Sequence, residues 1–297
     1  MKNLRPFTFM LAILPMIAWA QAQKIERTFD GIDEIDISVG PGDALFTKSP
    51  DQKVYLTITH NIKDYEPSIE QKGDRLRIRE DNRSGSWSGS ATWKFQIPDD
   101  TEISFNTGSG DFDISGVSAE VSVNSGSGDL GFSDFKGEVK GNTGSGDISF
   151  DNAAGDFRMN TGSGDVEGND VTGFMTFNTG SGDIEVKNLI LTDVSGFNAG
   201  SGDVEISLGA PLASDISLNS GSGNSSLDFN GNKIEGTIVM QANKRNGRIV
   251  APFKFDKEEE IDNGDRNHVT LRKTAKIGNK DVRINISTGS GTAEVEQ

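Results

Sequence analysis

The chain is 297 residues long, carries a formal charge of −16, contains no cysteine, and has 33% apolar residues and 36 glycines. The acidic balance excludes nucleic acid and anionic membrane surfaces as main partners, since such affinity comes from clustered Lys and Arg, and the missing thiols exclude disulfide support. So lean an apolar content suits a narrow, elongated core with frequent turns better than a compact two-layer domain.

Residues 1–20 have the features of a secretory signal peptide: Lys2 and Arg5, an uncharged apolar run from Phe7 to Ile17, and a small-x-small cleavage site at Ala18-Trp19-Ala20 or Ala20-Gln21-Ala22. The run is broken by Pro15 and falls short of the roughly 20 residues needed to cross a bilayer. The mature chain is therefore expected to be exported, to the periplasm, the outer surface or the medium, without a transmembrane segment. Residues 21–100 are expected to form a β-rich N-terminal cap. In it Ile35–Val39, Val54–Ile58 and Trp93–Ile97 alternate apolar and polar residues as half-buried strands do, and Arg83–Ser90 reads as a flexible loop.

Residues 101–230 hold the repeat that decides the fold class. Gly-Ser-Gly begins at 108, 126, 144, 162, 180, 200 and 221 and returns at 289, and the next residue is Asp in six successive copies. Two residues before each of the first seven stands an Asn. Counting back from that Asn, the preceding residue (Phe105, Val123, Gly141, Met159, Phe177, Phe197, Leu218) and the third before it (Ile103, Val121, Val139, Phe157, Met175, Ser195, Ile216) are mostly apolar, which marks a strand with one buried face. Alternation resumes after the motif in a shifted phase, as in Ile148/Phe150 and Ile184/Val186, so Gly-Ser-Gly-Asp is a corner. Its glycines are expected to hold positive φ. The small residue after the Asn (Thr107, Ser125, Thr143, Thr161, Thr179, Ala199, Ser220) is expected to point inward.

The expected class is all-β: a single-stranded, β-helix-like solenoid with about 18 residues per coil, each stabilised by stacking on its neighbours, between β-rich capping regions. Residues 231–297 are expected to make an irregular, charged excursion containing Glu258-Glu259-Glu260, then a closing coil at Ile284–Gly291.

No catalytic constellation emerges. His60 and His268 are the only histidines, expected at the surface, and neither a zinc site nor a nucleophile pair can be assembled. Polysaccharide-cleaving β-helices use clustered carboxylates, whereas here one carboxylate recurs at each corner, which is a pattern of structural repetition. The candidate ladder and ligand surface consists of Asn106, Asp111, Asn124, Asp129, Asn142, Asp147, Asn160, Asp165, Asn178, Asp183, Asn198 and Asp203. Stacked carboxylates repel by roughly 1 kcal/mol per pair in water, an amount that backbone hydrogen bonds to each carboxylate offset as well as calcium would. Gly-Ser-Gly-Asp also departs from the nonapeptide of calcium β-rolls, so capping is favoured over calcium and no metal or cofactor is expected.

The repeated apolar-x-Asn-Thr-Gly-Ser-Gly-Asp-Ile-x-apolar unit between Asn106 and Asn224, with the opening Phe29-Asp30-Gly31-Ile32-Asp33-Glu34-Ile35 before Gly42-Asp43, resembles the bacterial "putative adhesin" family of β-strand repeats. The resemblance covers nearly all of the mature chain. It implies a solenoid at the cell envelope and brings no catalytic residues; some relatives accompany envelope-stress signalling systems. The expected function is that of a non-enzymatic, monomeric surface-interaction protein meeting an envelope or extracellular protein or glycan. The alternatives are a periplasmic component of stress sensing and a calcium-binding module.

Overall fold

The computed structural model describes residues 23–80, 89–262 and 269–297. The expected signal peptide, residues 83–88 of the expected loop, and His268 lie outside the described residues. All regular structure among the described residues is β-strand, and no helix there is long and apolar enough to cross a membrane.

Within the repeat the chain alternates between two parallel ladders. The strands that lead into each corner, Thr101–Thr107, Ser118–Ser125, Lys136–Thr143, Ala154–Thr161 and Thr172–Thr179, lie side by side in one. The shorter strands that leave it, Phe112–Ser115, Leu130–Ser133, Ile148–Asp151, Val166–Asn169 and the start of Ile184–Leu191, form the other. Equivalent residues of neighbouring coils are 18 apart, as in Asn124 beside Asn106. Alternation aims Ile103, Phe105, Phe112 and Ile114 and their counterparts into the space between the ladders, where they are buried. Each large apolar side chain removed from water this way contributes about 1.5–3 kcal/mol. Phenylalanines of successive coils stack, Phe132 on Phe150 at 4.9 Å and Phe150 on Phe177 at 5.3 Å. Two gaps in the apolar pattern are filled locally. A Cβ on Gly141 would lie 2.2 Å from Met159 Cε, so the methionine of the next coil occupies that space. Ser195 is buried because its hydroxyl accepts from Met175 N–H at 3.0 Å and donates to the Asp193 carbonyl at 3.0 Å.

The ends depart from chain order. The coil Glu34–Val39/Gly42–Lys48 lies between Thr101–Thr107/Phe112–Ser115 and an outer layer of Arg75–Arg79 and Ala91–Ile97. At the far end Arg283–Thr288/Thr292–Glu296 lies between Ile216–Ser220/Ser225–Asp228 and an outer layer of Gly236–Asn243 and Arg248–Val250. Both insertions stack at a sequence distance of 68 residues. The coil at Ile284–Gly291 is thus an inner layer, covered by a stretch expected to be irregular. Antiparallel strands then cover the ends: Gln23–Asp30 and Lys53–His60 on one side, Ser68–Lys72 on the other, and Lys257–Asp262 with Val269–Ile277 at the far end.

The corner glycines do not have the expected backbone. No glycine of a Gly-Ser-Gly motif has positive φ. Except at Gly108, where a Cβ would meet nothing closer than 3.7 Å, they are required instead by close approach: a Cβ on Gly164 would sit 1.9 Å from the Gly146 carbonyl oxygen. Positive φ occurs at the opposite corner, at Gly116, Asp134, Asn152, Asp170 and Asn188, residue types that tolerate the left-handed region. There the Asn152 amide donates to Asp134 at 2.6 Å and the Asn188 amide to Asp170 at 3.1 Å.

Candidate functional surface

The small residue after each Asn is buried in most coils, and its hydroxyl does more than save space. Thr161 Oγ1 accepts from Gly164 N–H at 3.0 Å and donates to the Gly146 carbonyl of the previous coil at 3.0 Å. Thr143 and Thr179 repeat the pattern. The hydroxyl closes its own corner and ties it to the one below, fixing the angle between the Asn and Asp positions on either side.

The Asn residues form one continuous row on the outer face of the leading ladder. Each amide donates to the preceding one, from Asn124 to Asn106 through Asn142, Asn160, Asn178 and Asn198 to Asn219, at 2.8–3.0 Å. Ser287 Oγ continues the row by donating to Asn219 at 2.6 Å. A carboxamide has two N–H donors and two acceptor lone pairs, and from Asn124 to Asn198 the row uses one of each, leaving one of each for solvent or a partner; at Asn219 the amide also donates to Ser217 Oγ at 3.1 Å. Two residues earlier, on the same face, stand Ser122, Lys140, Arg158 and Thr176; two earlier again, Glu120, Glu138, Asp156 and Phe174. Arg158 spans these columns, 3.2 Å from Glu138 and 4.6 Å above the Phe174 ring.

The Asp residues form a second row beyond the corner. The N–H of each donates to Oδ1 of the one before, with Asp129, Asp147, Asp165, Asp183 and Asp203 at 2.7–2.9 Å from their acceptors. The row found in the sequence continues above Asp203 through Asn224 and Thr292, which follow the seventh and eighth motifs, and extends below Asp111 to Asp43 at 3.2 Å, the end that sequence reading missed. Gly40-Pro41-Gly42-Asp43 is a Gly-x-Gly-Asp corner disguised by proline, and its distance of 68 residues hid it from an 18-residue search. At this end Glu80 caps the stack, accepting from Gly40 N–H at 2.6 Å and from the Tyr65 hydroxyl.

Beside the Asp row, two residues on, run Asp113, Glu167, Glu185 and Glu205. Burial first, then the charges of Asp111, Asp43 and Asp129, pushes the Asp113 carboxyl above the usual carboxylate range. Glu205 is raised likewise by burial, then by Asp203, Glu185, Asp183 and Glu296. Among the described residues no three of His, Cys, Asp and Glu are placed to hold one metal ion. The twelve candidate residues therefore make two rows flanking a corner rather than one enclosed site. His60, expected at the surface, is buried: its ring packs against Tyr65 at 4.6 Å, tilted by 43°, and its Nδ1 lies 3.2 Å from the Ile62 carbonyl oxygen.

The chain matches the Toastrack DUF4097 family over residues 32–251. No curated protein matches it. Among solved structures, a putative adhesin of Bacteroides fragilis is 15% identical, covers 93% of this chain and 98% of its own, and gives a TM-score of 0.43. A putative cell adhesion protein of Clostridium sporogenes is 14% identical over 93% and 100%, with a TM-score of 0.29. A putative lipid binding protein of Parabacteroides distasonis is 14% identical over 93% and 96%, with a TM-score of 0.32.

Proposed function

The chain belongs to the Toastrack DUF4097 family, and from that premise we propose that it is an exported, non-enzymatic interaction protein of the cell envelope whose contact surface is the regular polar face of the coil array. We read that array as a single-stranded β-solenoid of about 18 residues per coil. The observation that carries the proposal is the unbroken Asn row from Asn106 to Asn219. Each side chain from Asn124 to Asn219 is held by both neighbours, so a partner meets donors and acceptors already fixed at a repeat of about 4.8 Å. Binding such a face costs little side-chain ordering, which is the usual loss of about 0.5–1.5 kcal/mol for each immobilised flexible side chain.

We read the chain as non-enzymatic because, among the described residues, the carboxylates recur coil by coil rather than converging with a nucleophile and an oxyanion donor. Photo-crosslinking in intact cells, followed by mass spectrometry of the captured material, tests the reading. A discrete envelope or extracellular partner is the expected result. Recovery of cytoplasmic proteins alone would refute it.

A further inference from the structure

A groove of about 550 Å³ lies on the outer face of the trailing ladder at its N-terminal end, away from the Asn row. Its walls come from Gln23–Asp30, Lys53–His60, Ala91–Ile97 and Gly42–Lys48, which pair edge to edge. Outward alternation places Thr57 beside Lys94 and Lys94 beside Leu45, and Tyr55 beside Gln96 and Gln96 beside Thr47. Hydroxyls and an amide therefore alternate with the Leu45 side chain and the Tyr55 ring along a shallow trough of mixed polarity. The Tyr55 ring is held in place because its hydroxyl donates to Asp51 Oδ2 at 2.9 Å.

In a chain of formal charge −16, Lys94 is exposed and has no ion-pair or hydrogen-bond partner among the described residues, while Lys24 at the rim is paired with Glu26 at 2.5 Å. An unpaired ammonium among hydroxyls and an amide complements an anionic ligand that is itself rich in hydroxyls. A polypeptide recognised through its backbone would need a free strand edge; the strands flooring the trough already pair on both sides, Lys53–His60 with Gln23–Asp30 and Ala91–Ile97, and Ala91–Ile97 with Gly42–Lys48, and the one free edge there among the described residues, that of Gln23–Asp30, lies at the rim, two strands from Lys94.

We propose that this trough binds an acidic glycan, with a sugar carboxylate against Lys94, a sugar ring against Tyr55, and hydroxyls hydrogen-bonded to Thr47, Thr57 and Gln96. The proposal rests on reading the chain as an interaction protein and adds a site of its own. Calorimetric titration of the folded protein with oligogalacturonate hexamer, cellohexaose and hexaglutamate tests it. Oligogalacturonate should bind at least tenfold more tightly than the other two. Lys94→Gln should remove that preference, Lys94→Arg should keep it, and Tyr55→Ala should weaken binding at least fivefold, with melting temperatures confirming that each variant is folded. The proposal is overturned if oligogalacturonate does not bind at millimolar concentration, if cellohexaose or hexaglutamate binds as tightly, or if Lys94→Gln changes nothing. Such a result would leave the proposed function standing, since capture of an envelope partner in cells does not depend on the glycan.

Discussion

Replacing Gly164 by alanine adds one methyl group at a point where the coils touch. The new Cβ would stand 1.9 Å from the Gly146 oxygen, 2.5 Å from the Gly146 carbonyl carbon and 3.0 Å from Asp147 N. All three are backbone atoms, so no flexible side chain can move aside. Restoring ordinary contact requires the coils to separate by more than 1 Å there, on the order of the 0.5–1 Å gaps that already forfeit a quarter to a half of a contact's attraction. The separation strains the bonds that cross it: Asp165 N–H to Asp147 at 2.8 Å, Thr161 Oγ1 to the Gly146 carbonyl at 3.0 Å, and Gly162 N–H to the Thr143 carbonyl at 3.2 Å. At about 0.5–1.5 kcal/mol each, losing two or three costs about 1–4.5 kcal/mol. At roughly 2–4 °C per kcal/mol for a domain of this size, that is a drop of about 2–18 °C in melting temperature. Gly116→Ala is the control, since φ there is +68° with nothing within 4 Å of the added carbon; it should cost only about 1 kcal/mol, from backbone strain. Thermal denaturation of both variants decides the matter. If Gly164→Ala melts with the parent, or Gly116→Ala is the more damaging, the close-approach account of the corners is wrong.

The inward hydroxyl gives a second contrast in the same assay: Thr161→Ser should be mild, Thr161→Val should cost about 1–3 kcal/mol by stranding the Gly164 N–H, and Thr161→Leu should cost about as much again by overfilling the corner. Asn160→Ala removes the bonds to Asn142 and from Asn178 and should cost about 1 kcal/mol, because its exposed partners can turn to water. The raised carboxyl of Asp113 means that the folded state binds its proton more tightly than the unfolded chain does. Its favourable contribution is complete below the unfolded value near 3.8 and is lost as pH rises through the folded one. Asp113→Asn should therefore be more stable than the parent at pH 7, and the difference should vanish near pH 3. Melting in EDTA and in millimolar calcium should coincide, with Asp147→Asn nearly neutral in both; a calcium-dependent rise abolished by Asp147→Asn would instead establish a calcium module.

The repeat was legible because each coil solves one packing problem with the same residues. Apolar residues on alternate sides of Asn160 and Asp165 record which face is buried, and the hydroxyl after the Asn records where space runs out. The reason for the glycines was not legible: a sequence shows that a side chain is missing, not whether backbone angle or a neighbouring carbonyl forbids it. The second corner carried a usable signal, Gly or Asx at 116, 134, 152, 170 and 188, obscured by varying chemistry. The threading of the ends lay beyond periodicity, because Gly42-Asp43 and Gly289 stack on coils 68 residues away. His60 shows the limit of single residues, since its burial follows from Tyr65 folding over it.

Among the candidate residues, the two rows followed directly from the period. The trough around Lys94 did not, because its walls come from four strands whose pairing no repeat announces.

The central claim is that the outer face of the leading ladder is the contact surface, and site-resolved photo-crosslinking in intact cells tests it most directly. A photoreactive residue is placed in turn at Ser122 and Thr176, beside the Asn row, and at Glu258, on the far-end cover strand. The account predicts that the first two positions capture the same discrete partner and that the third does not. Capture from Glu258 alone, or no position-dependent capture, would contradict it.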